Sequence, residues 1–411
     1  MQSKMGEKNN IPQIRFNGFD ESWEVKKLGE IGFTYSGLFG KSKIDFGHGE
    51  GKYITYMNIF SNPITNVDIT APIEIDINQN EVEFGDVFFT TSSETPEEVG
   101  MTSVWLGSGK NTYLNSFCFG YRLTEELDSY FIAYLLRSFN TRKKITYLAQ
   151  GISRYNISKN KVMQICISRP KISEQYHIGS YFQNLDKLIT LQQQKHDKLV
   201  TLKKAMLDKM FPKEGADVPE IRFKGFAEVW EERKLGEISE SYSGGTPSVG
   251  ISEFYNGNIP FIRSAEINCN STELYITELG LRNSSAKLVN GGCILYALYG
   301  ATSGEVGRSK LEGAINQAIL AIKPSTGIDA EFITQWLRKK KKVIISTYLQ
   351  GGQGNLSGSI VKNLNINLPC FEEQSQIGSY FQNLDKLISL HQQEIQKLKN
   401  IKKACLEKMF V

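Results

Sequence analysis

Few residue types in this chain are spaced for catalysis. The four histidines, His48, His177, His196 and His391, are isolated. None sits in an H-E-x-x-H spacing, which would put two imidazoles on one helix face around zinc. Gly40-Lys41-Ser42 looks like the end of a phosphate loop, but the glycine such a loop needs five residues earlier is Tyr35. Gly244-Gly245 and Gly351-Gly352 fit no dinucleotide-binding pattern, and no G-x-S-x-G nucleophile elbow occurs. An enzyme that flips and methylates adenine carries an N-P-P-[YF]-type motif; Asn62-Pro63-Ile64 is the nearest and fails. Carboxylates are plentiful, but nothing singles out a pair. The six cysteines (Cys118, Cys166, Cys269, Cys293, Cys370, Cys405) form no C-x-x-C pair. That speaks against a zinc cluster or disulfide framework and fits a reducing cytoplasm. The residues read as a binding protein rather than an enzyme, with no metal and no cofactor of its own.

What remains is charge. The net charge of +4 permits a nucleic-acid partner without demanding one. Two basic runs, Arg142 to Lys144 and Arg338 to Lys342, lie on expected helices at 129–148 and 329–349. Such runs are usually solvated helix faces. Two in corresponding places also suit phosphate contact.

The corresponding places exist because the chain is built twice. Residues 12–31 (PQIRFNGFDESWEVKKLGEI) and 219–238 (PEIRFKGFAEVWEERKLGEI) share 14 of 20 positions. Residues 178–189 and 377–388 are the same twelve letters, IGSYFQNLDKLI. A period near 200 is a duplicated domain, not a solenoid. The ends match and the interiors diverge, with weak echoes: Val99-Gly100 with Val306-Gly307, Asn115 with Asn316, Gly151 with Gly352. Matching ends suggest two copies of one docking surface, and divergent interiors two different ligands; drift after duplication is the plainer account.

Each copy closes with a proline-free stretch whose apolar residues recur every three or four positions: Ile178, Tyr181, Leu185, Leu188, Leu199, Leu202 and Met206, then Ile377, Tyr380, Leu384, Leu387, Leu398, Ile401 and Cys405. This is a heptad seam on a rod of about 57 Å. Either the two rods cover each other or each packs on its own globular part. If they run antiparallel, the polar centres can meet, Lys195 with Glu394 and Gln192 with His391, as a register lock. The globular parts read as mixed α and β, with β-rich runs at 53–59, 86–91, 258–263, 293–299 and 314–322 between turn-rich loops. The expected architecture is α+β: two mixed domains in tandem, 1–173 and 219–372, with lead-in segments 12–31 and 219–238. Long helices follow at 174–211 and 373–411, pairing as an antiparallel coiled coil, and 212–218 links the copies. No apolar run is long enough to cross a membrane, and the N-terminus has no apolar signal region.

This plan resembles the specificity subunits of type I restriction–modification enzymes. The resemblance rests on Trp-x4-Leu-Gly-Glu-Ile before each domain (Trp23 to Ile31, Trp230 to Ile238), Ser243-Gly-Gly-Thr-Pro-Ser248, Tyr299-Gly-Ala-Thr-Ser-Gly304 and Asn316-Gln-Ala318. Gln-x-x-Ile-Gly-x-Tyr-Phe-x-x-Leu-Asp, from Gln175 and from Gln374, completes it. The first domain departs from the pattern, with Leu38-Phe39 after Gly37 and Ser92-Ser93-Glu94 in place of Tyr-Gly-Ala. The resemblance implies two target recognition domains, each reading half of a bipartite site on double-stranded DNA. It implies two modification subunits that bind S-adenosylmethionine and methylate adenine at N6, and restriction subunits that use ATP and Mg. Loop residues flanking the β runs are then the candidate DNA contacts. In the first domain these are Lys41, Ser42, Lys43, Ser92, Ser93, Arg154 and Tyr155. In the second they are Thr246, Ser248, Arg263, Tyr299, Thr302, Ser303, Gln353 and Asn355. Arg and Lys suit guanine, and Gln and Asn suit adenine.

Overall fold

A computed structural model describes residues 10–349 and 355–411. The chain divides into two compact units. Residues 10–193 and 393–411 belong to the first, and 194–392 to the second. Both long helices, Ile172–Lys209 and Phe371–Lys408, therefore contribute their first half to one unit and their second half to the other.

In unit 1, a four-stranded antiparallel sheet runs in the order Gly32–Ser36, Cys118–Leu123, Val87–Thr90, Thr102–Val104. Val87–Thr90 is buried on both faces, which is why it reads as a continuous apolar run. A three-stranded sheet centred on Phe46–Ile54 lies in the same unit. Unit 2 repeats the first sheet with Ser239–Ser243, Ile319–Pro324, Ile294–Ala297 and Val306–Arg308. Its second sheet has four strands around Tyr255–Ile262 and Gly313–Ile315.

Three sequence expectations need correction. The run 53–59 is half strand and half helix: Thr55 caps a helix at Tyr56–Ser61, its hydroxyl accepting from the Asn58 amide. The run 314–322 is two strands, because Asn316 turns the chain by accepting from the Ala318 amide. The helix at 129–148 breaks at Ser138, which ends Ser129–Arg137 and caps Phe139–Thr146. Its counterpart, Ala330–Tyr348, has no such break.

The repeated ends turn out to be the frame of each unit. Arg15 grips the buried Glu174 through two hydrogen bonds of 2.8 Å, and Arg222 grips the buried Glu373 through two of 2.7 Å. Gln175 accepts from the Asp128 amide and donates to the Pro170 carbonyl; Gln374 does the same with Asp329 and Pro369. The glycine inside each long helix is needed for close approach. A Cβ at Gly179 would stand 2.2 Å from the Asp128 carboxylate that caps Ser129–Arg137, and one at Gly378 would stand 2.6 Å from Asp329.

The last residues of each long helix complete the other copy's core. In unit 1, Phe410 packs on Trp23, Phe131 and Phe182, and the Ile14 amide donates to the Lys408 carbonyl. In unit 2, Phe211 packs on Trp230, Phe332 and Phe381, and Ile221 donates to Lys209. Truncating such a buried aromatic costs about 3–5 kcal/mol.

The seam is accordingly only part of what the long helices do. Within unit 1, Lys402 meets Asp186 and Cys405 meets Tyr181, so the two segments run antiparallel there. Within unit 2, Lys203 meets Asp385 and Phe211 meets Phe381, again antiparallel. However, Ile178, Phe182 and Leu185 are buried in the globular core, while Leu188, Leu202 and Leu387, expected in the seam, are exposed. Exposed apolar residues recur at matching places, Leu188 and Leu191 and then Leu387 and Leu390.

Candidate nucleic-acid interface

In unit 1 the short strand Ser92–Ser93 pairs antiparallel with Tyr155–Asn156. Four residues singled out in the sequence, Ser92, Ser93, Arg154 and Tyr155, thus come together from positions some sixty apart in the chain. Beside this ladder is a cleft of about 400 Å3. Its apolar wall is Tyr56, Met57, Phe60 and Phe117; its polar lining is Ser92, Ser93, Glu94, Glu98 and Arg154. The Tyr56 hydroxyl donates to the Ser92 carbonyl at 2.7 Å, and burial raises the phenol above its ordinary pKa, keeping it a neutral donor. Phe117 and Met57 are exposed, at 62% and 60%, and both stand in this wall. The sequence reading missed the cleft's aromatic wall and its carboxylates. The available signal was the acidic run that follows Ser93, with Glu94, Glu97 and Glu98.

The remaining unit 1 candidates lie elsewhere. Lys41 is tied to Asp76 at 2.7 Å, which holds that carboxyl well below the usual range. The Ser42 amide and hydroxyl both donate to Asp45, and Lys43 is exposed on the adjoining turn. None of the three lines the cleft.

Unit 2 builds the same ladder from different residues. Tyr299 bridges Asn355, and the Leu356 amide donates to the Leu298 carbonyl. Between Tyr299 and the next strand stands a short turn, Gly300–Thr302. Ser303 is buried there with its hydroxyl donated to the Gly300 carbonyl at 2.9 Å, so it holds the turn and does not face a ligand. Thr302 is half-buried and Asn355 exposed. Thr246 donates to Gln317 at 2.6 Å, with Ser248 exposed in the same loop. Arg263 is clamped by Glu266 and Glu273. Burial opposes ionisation of Glu266, but Arg263 and the Glu273 and Arg263 amides outweigh it and bring its pKa down to about 2. Gln353 and Gly352 lie outside the described residues.

Strand register corrects one internal alignment. Val87 pairs with Val104, and Ile294 with Arg308. Gly100 therefore corresponds to Gly304, not Gly307. Both have positive φ (65° and 77°), and a Cβ on either would press on an isoleucine, Ile145 or Ile345. From ladder to glycine, unit 1 then has three more residues (92–100 against 299–304), and this longer stretch carries Glu94, Glu97 and Glu98.

The basic runs are largely consumed by the fold. Arg142 donates to the carbonyls of Glu97, Val99 and Gly100, and Lys144 to that of Cys166. Arg338 pairs with Asp385, Lys341 with Glu305, and Lys339 donates to the Phe211 carbonyl. Burial lowers Lys339 to about 8. Among the described residues, only the side-chain ammonium groups of Lys143, Lys340 and Lys342 in these runs make no ion pair or hydrogen bond. No group of three or more His, Cys, Asp or Glu there could hold a metal ion, and no helix there could cross a membrane.

The two units thus carry two ladders of the same design, with different side chains, on a repeated frame. The sequence profile described as "Type I restriction modification DNA specificity domain" matches residues 20–201 and again 227–400. The chain belongs to this family. Among curated relatives, it is 28% identical over 176 residues to the EcoR124I/EcoR124II specificity subunit of Escherichia coli, covering 41% of this chain and 43% of that one. It is 24% identical over 184 residues to the MjaVIII specificity subunit of Methanocaldococcus jannaschii, covering 44% and 42%. The match thus spans about two-fifths of each relative's length. Among solved structures, the type I S subunit from M. genitalium superposes with a TM-score of 0.65 at 15% identity, covering 98% of this chain and 99% of that one. A second, from work on complex assembly and conformational transition of the type I R-M system, gives 0.56 at 18% identity over 93% and 96%. At such identities these two establish the fold. Both family segments run from a lead-in through one ladder and into a long helix, so the candidate contacts of each copy belong to one specificity domain.

Proposed function

We propose that this chain is the DNA-reading specificity subunit of a type I restriction–modification enzyme, without catalysis of its own. Each unit reads one half of a bipartite site on double-stranded DNA through the loops around its ladder. The carrying observation is the family match, which covers both copies separately while the ladders differ in side chains. Base edges are read by those loop side chains, and phosphate contacts fix the register on the duplex.

Methyl transfer belongs to modification subunits, two in number, that bind S-adenosylmethionine and methylate adenine at N6. Restriction subunits supply ATP- and Mg-dependent cleavage. The exposed leucines recurring on the long helices, Leu188 and Leu191 with Leu387 and Leu390, supply two like surfaces for two like partners. Gln192, Lys195, His391 and Glu394 keep their proposed role in helix register, and the cytoplasm remains the expected compartment.

Methylome sequencing of the host with and without the gene tests the reading. The expected result is a bipartite N6-methyladenine motif that disappears with the gene. An unchanged methylome would refute it. Purified chain that by itself transferred methyl groups from S-adenosylmethionine would refute the non-catalytic assignment.

A further inference from the structure

The unit 1 cleft holds opposite charges that do not neutralise each other. Glu94, Glu98 and Arg154 all line it, yet among the described residues Arg154 makes no ion pair with either carboxylate, and the hydrogen bonds to the Glu98 side chain come from Ser93 and Thr95. Elsewhere in this protein the surface arginines near carboxylates do pair: Arg122, Arg169, Arg263 and Arg282. Glu98 is also held in place, since the Thr95 and Ser93 hydroxyls donate to its Oε2 at 2.9 and 3.3 Å. The wall beside these groups is aromatic and half-exposed. An oriented carboxylate is a poor phosphate contact, because the backbone repels it. It is a good acceptor for an exocyclic amine, just as a guanidinium is a good bidentate donor to two acceptors. A single G·C base pair offers both in the major groove: guanine O6 and N7, and the cytosine N4 amine. The stretch carrying Glu98, residues 92–100, is three residues longer than its unit 2 counterpart 299–304, which has no glutamate, so the carboxylate belongs to the unit 1 half-site alone.

Resting on the specificity-subunit reading, we propose that Arg154 and Glu98 together read one G·C base pair in the half-site of unit 1, Arg154 donating to guanine and Glu98 accepting from cytosine. Phe117 and Met57 face the flanking step, where a thymine methyl is the apolar feature a base edge presents.

The test uses the full chain assembled with its host's modification subunits. Competition binding against single-base variants of the methylated site is read for wild type, Arg154→Ala, Arg154→Lys, Glu98→Ala and Glu98→Gln. Arg154→Ala and Glu98→Ala should each lose roughly tenfold or more of their discrimination at the same G·C position, and nowhere else. Arg154→Lys should not restore it, because an ammonium lacks the planar fork, whereas a phosphate contact would tolerate lysine. Glu98→Gln should bind non-cognate DNA more tightly, since a negative charge near phosphates is gone. Relaxation at two different positions, a uniform loss at all positions, or a unit 1 half-site without a G·C pair would each overturn the proposal. Loss of subunit assembly with the motif unchanged would make the cleft a protein-docking site and overturn it too. Absence of any bipartite motif in the wild-type host would instead sink the parent reading, and this one with it.

Discussion

Replacing Arg222 by alanine should unfold unit 2 far more readily than its surface position in the sequence suggests. Glu373 is fully buried, and both its oxygens accept from the Arg222 guanidinium at 2.7 Å. That hydrogen-bonded pairing raises the Arg222 pKa, so the guanidinium stays charged at every working pH. Arg222→Ala removes both hydrogen bonds and leaves a carboxylate without a counter-charge in the protein interior. Breaking a buried pair in this way costs about 3–5 kcal/mol. For a unit of this size each kcal/mol lowers Tm by about 2–4 °C, so the shift is on the order of 10 °C. Glu373→Gln should cost less. It keeps the shape of the side chain, and Arg222 retains some access to water, with a side chain 14% exposed. The equivalent Arg15→Ala should destabilise unit 1 by a similar amount. Urea unfolding of the full chain, followed by tryptophan fluorescence and by proteolysis of each unit, measures both. A cost below about 1 kcal/mol for Arg222→Ala, or a larger cost for Glu373→Gln, would refute the account of the pair.

Four further expectations follow from the same geometry. Gly179→Ala should cost about 2–4 kcal/mol by displacing the Asp128 cap and overpacking the contact beneath it, with Gly378→Ala somewhat milder; thermal melts decide. Glu266 is ionised more easily in the fold than in the unfolded chain, so its contribution is complete above pH 4.5 and fades as pH falls toward 2. The stability difference between wild type and Glu266→Gln should therefore shrink over that window, and a difference that stayed constant would contradict the assigned partners. Changing Lys340 and Lys342 to alanine should lower the salt slope of DNA binding by about 1.8, at 0.9 per phosphate contact, whereas Arg338→Ala should lower stability instead; an unchanged slope would leave the run a solvated face. Deleting seven residues, two turns, from one long helix should change the spacer of the methylated site or abolish assembly, and an unaltered motif would refute a spacing role for these helices.

The amino-acid sequence by itself determined the architecture of this protein, because architecture rests on local periodicity and on repetition. Two long helices follow from a heptad pattern without proline, and the double frame follows from 14 shared positions at the lead-ins and twelve identical letters at the helices. Residues of those repeated blocks then proved to hold the frame: the lead-in arginines Arg15 and Arg222 grip Glu174 and Glu373, and Gly179 of the helix block lies against Asp128. The ladder residues Ser92, Ser93, Arg154 and Tyr155 were legible as loop chemistry, and likewise Tyr299 and Asn355. Tertiary structure alone decided which of them meet, since pairing across sixty residues is set by the sheet between them and leaves no local signal. It alone decided that Ser303, Arg142 and Arg338 serve the fold. A side chain's partners depend on which backbone carbonyls and carboxylates arrive beside it, and composition carries no record of that arrival. The tertiary structure likewise sent Phe410 into the core of unit 1 and Phe211 into that of unit 2. A helix face is periodic in sequence, but what covers it is fixed only when the chain has closed on itself.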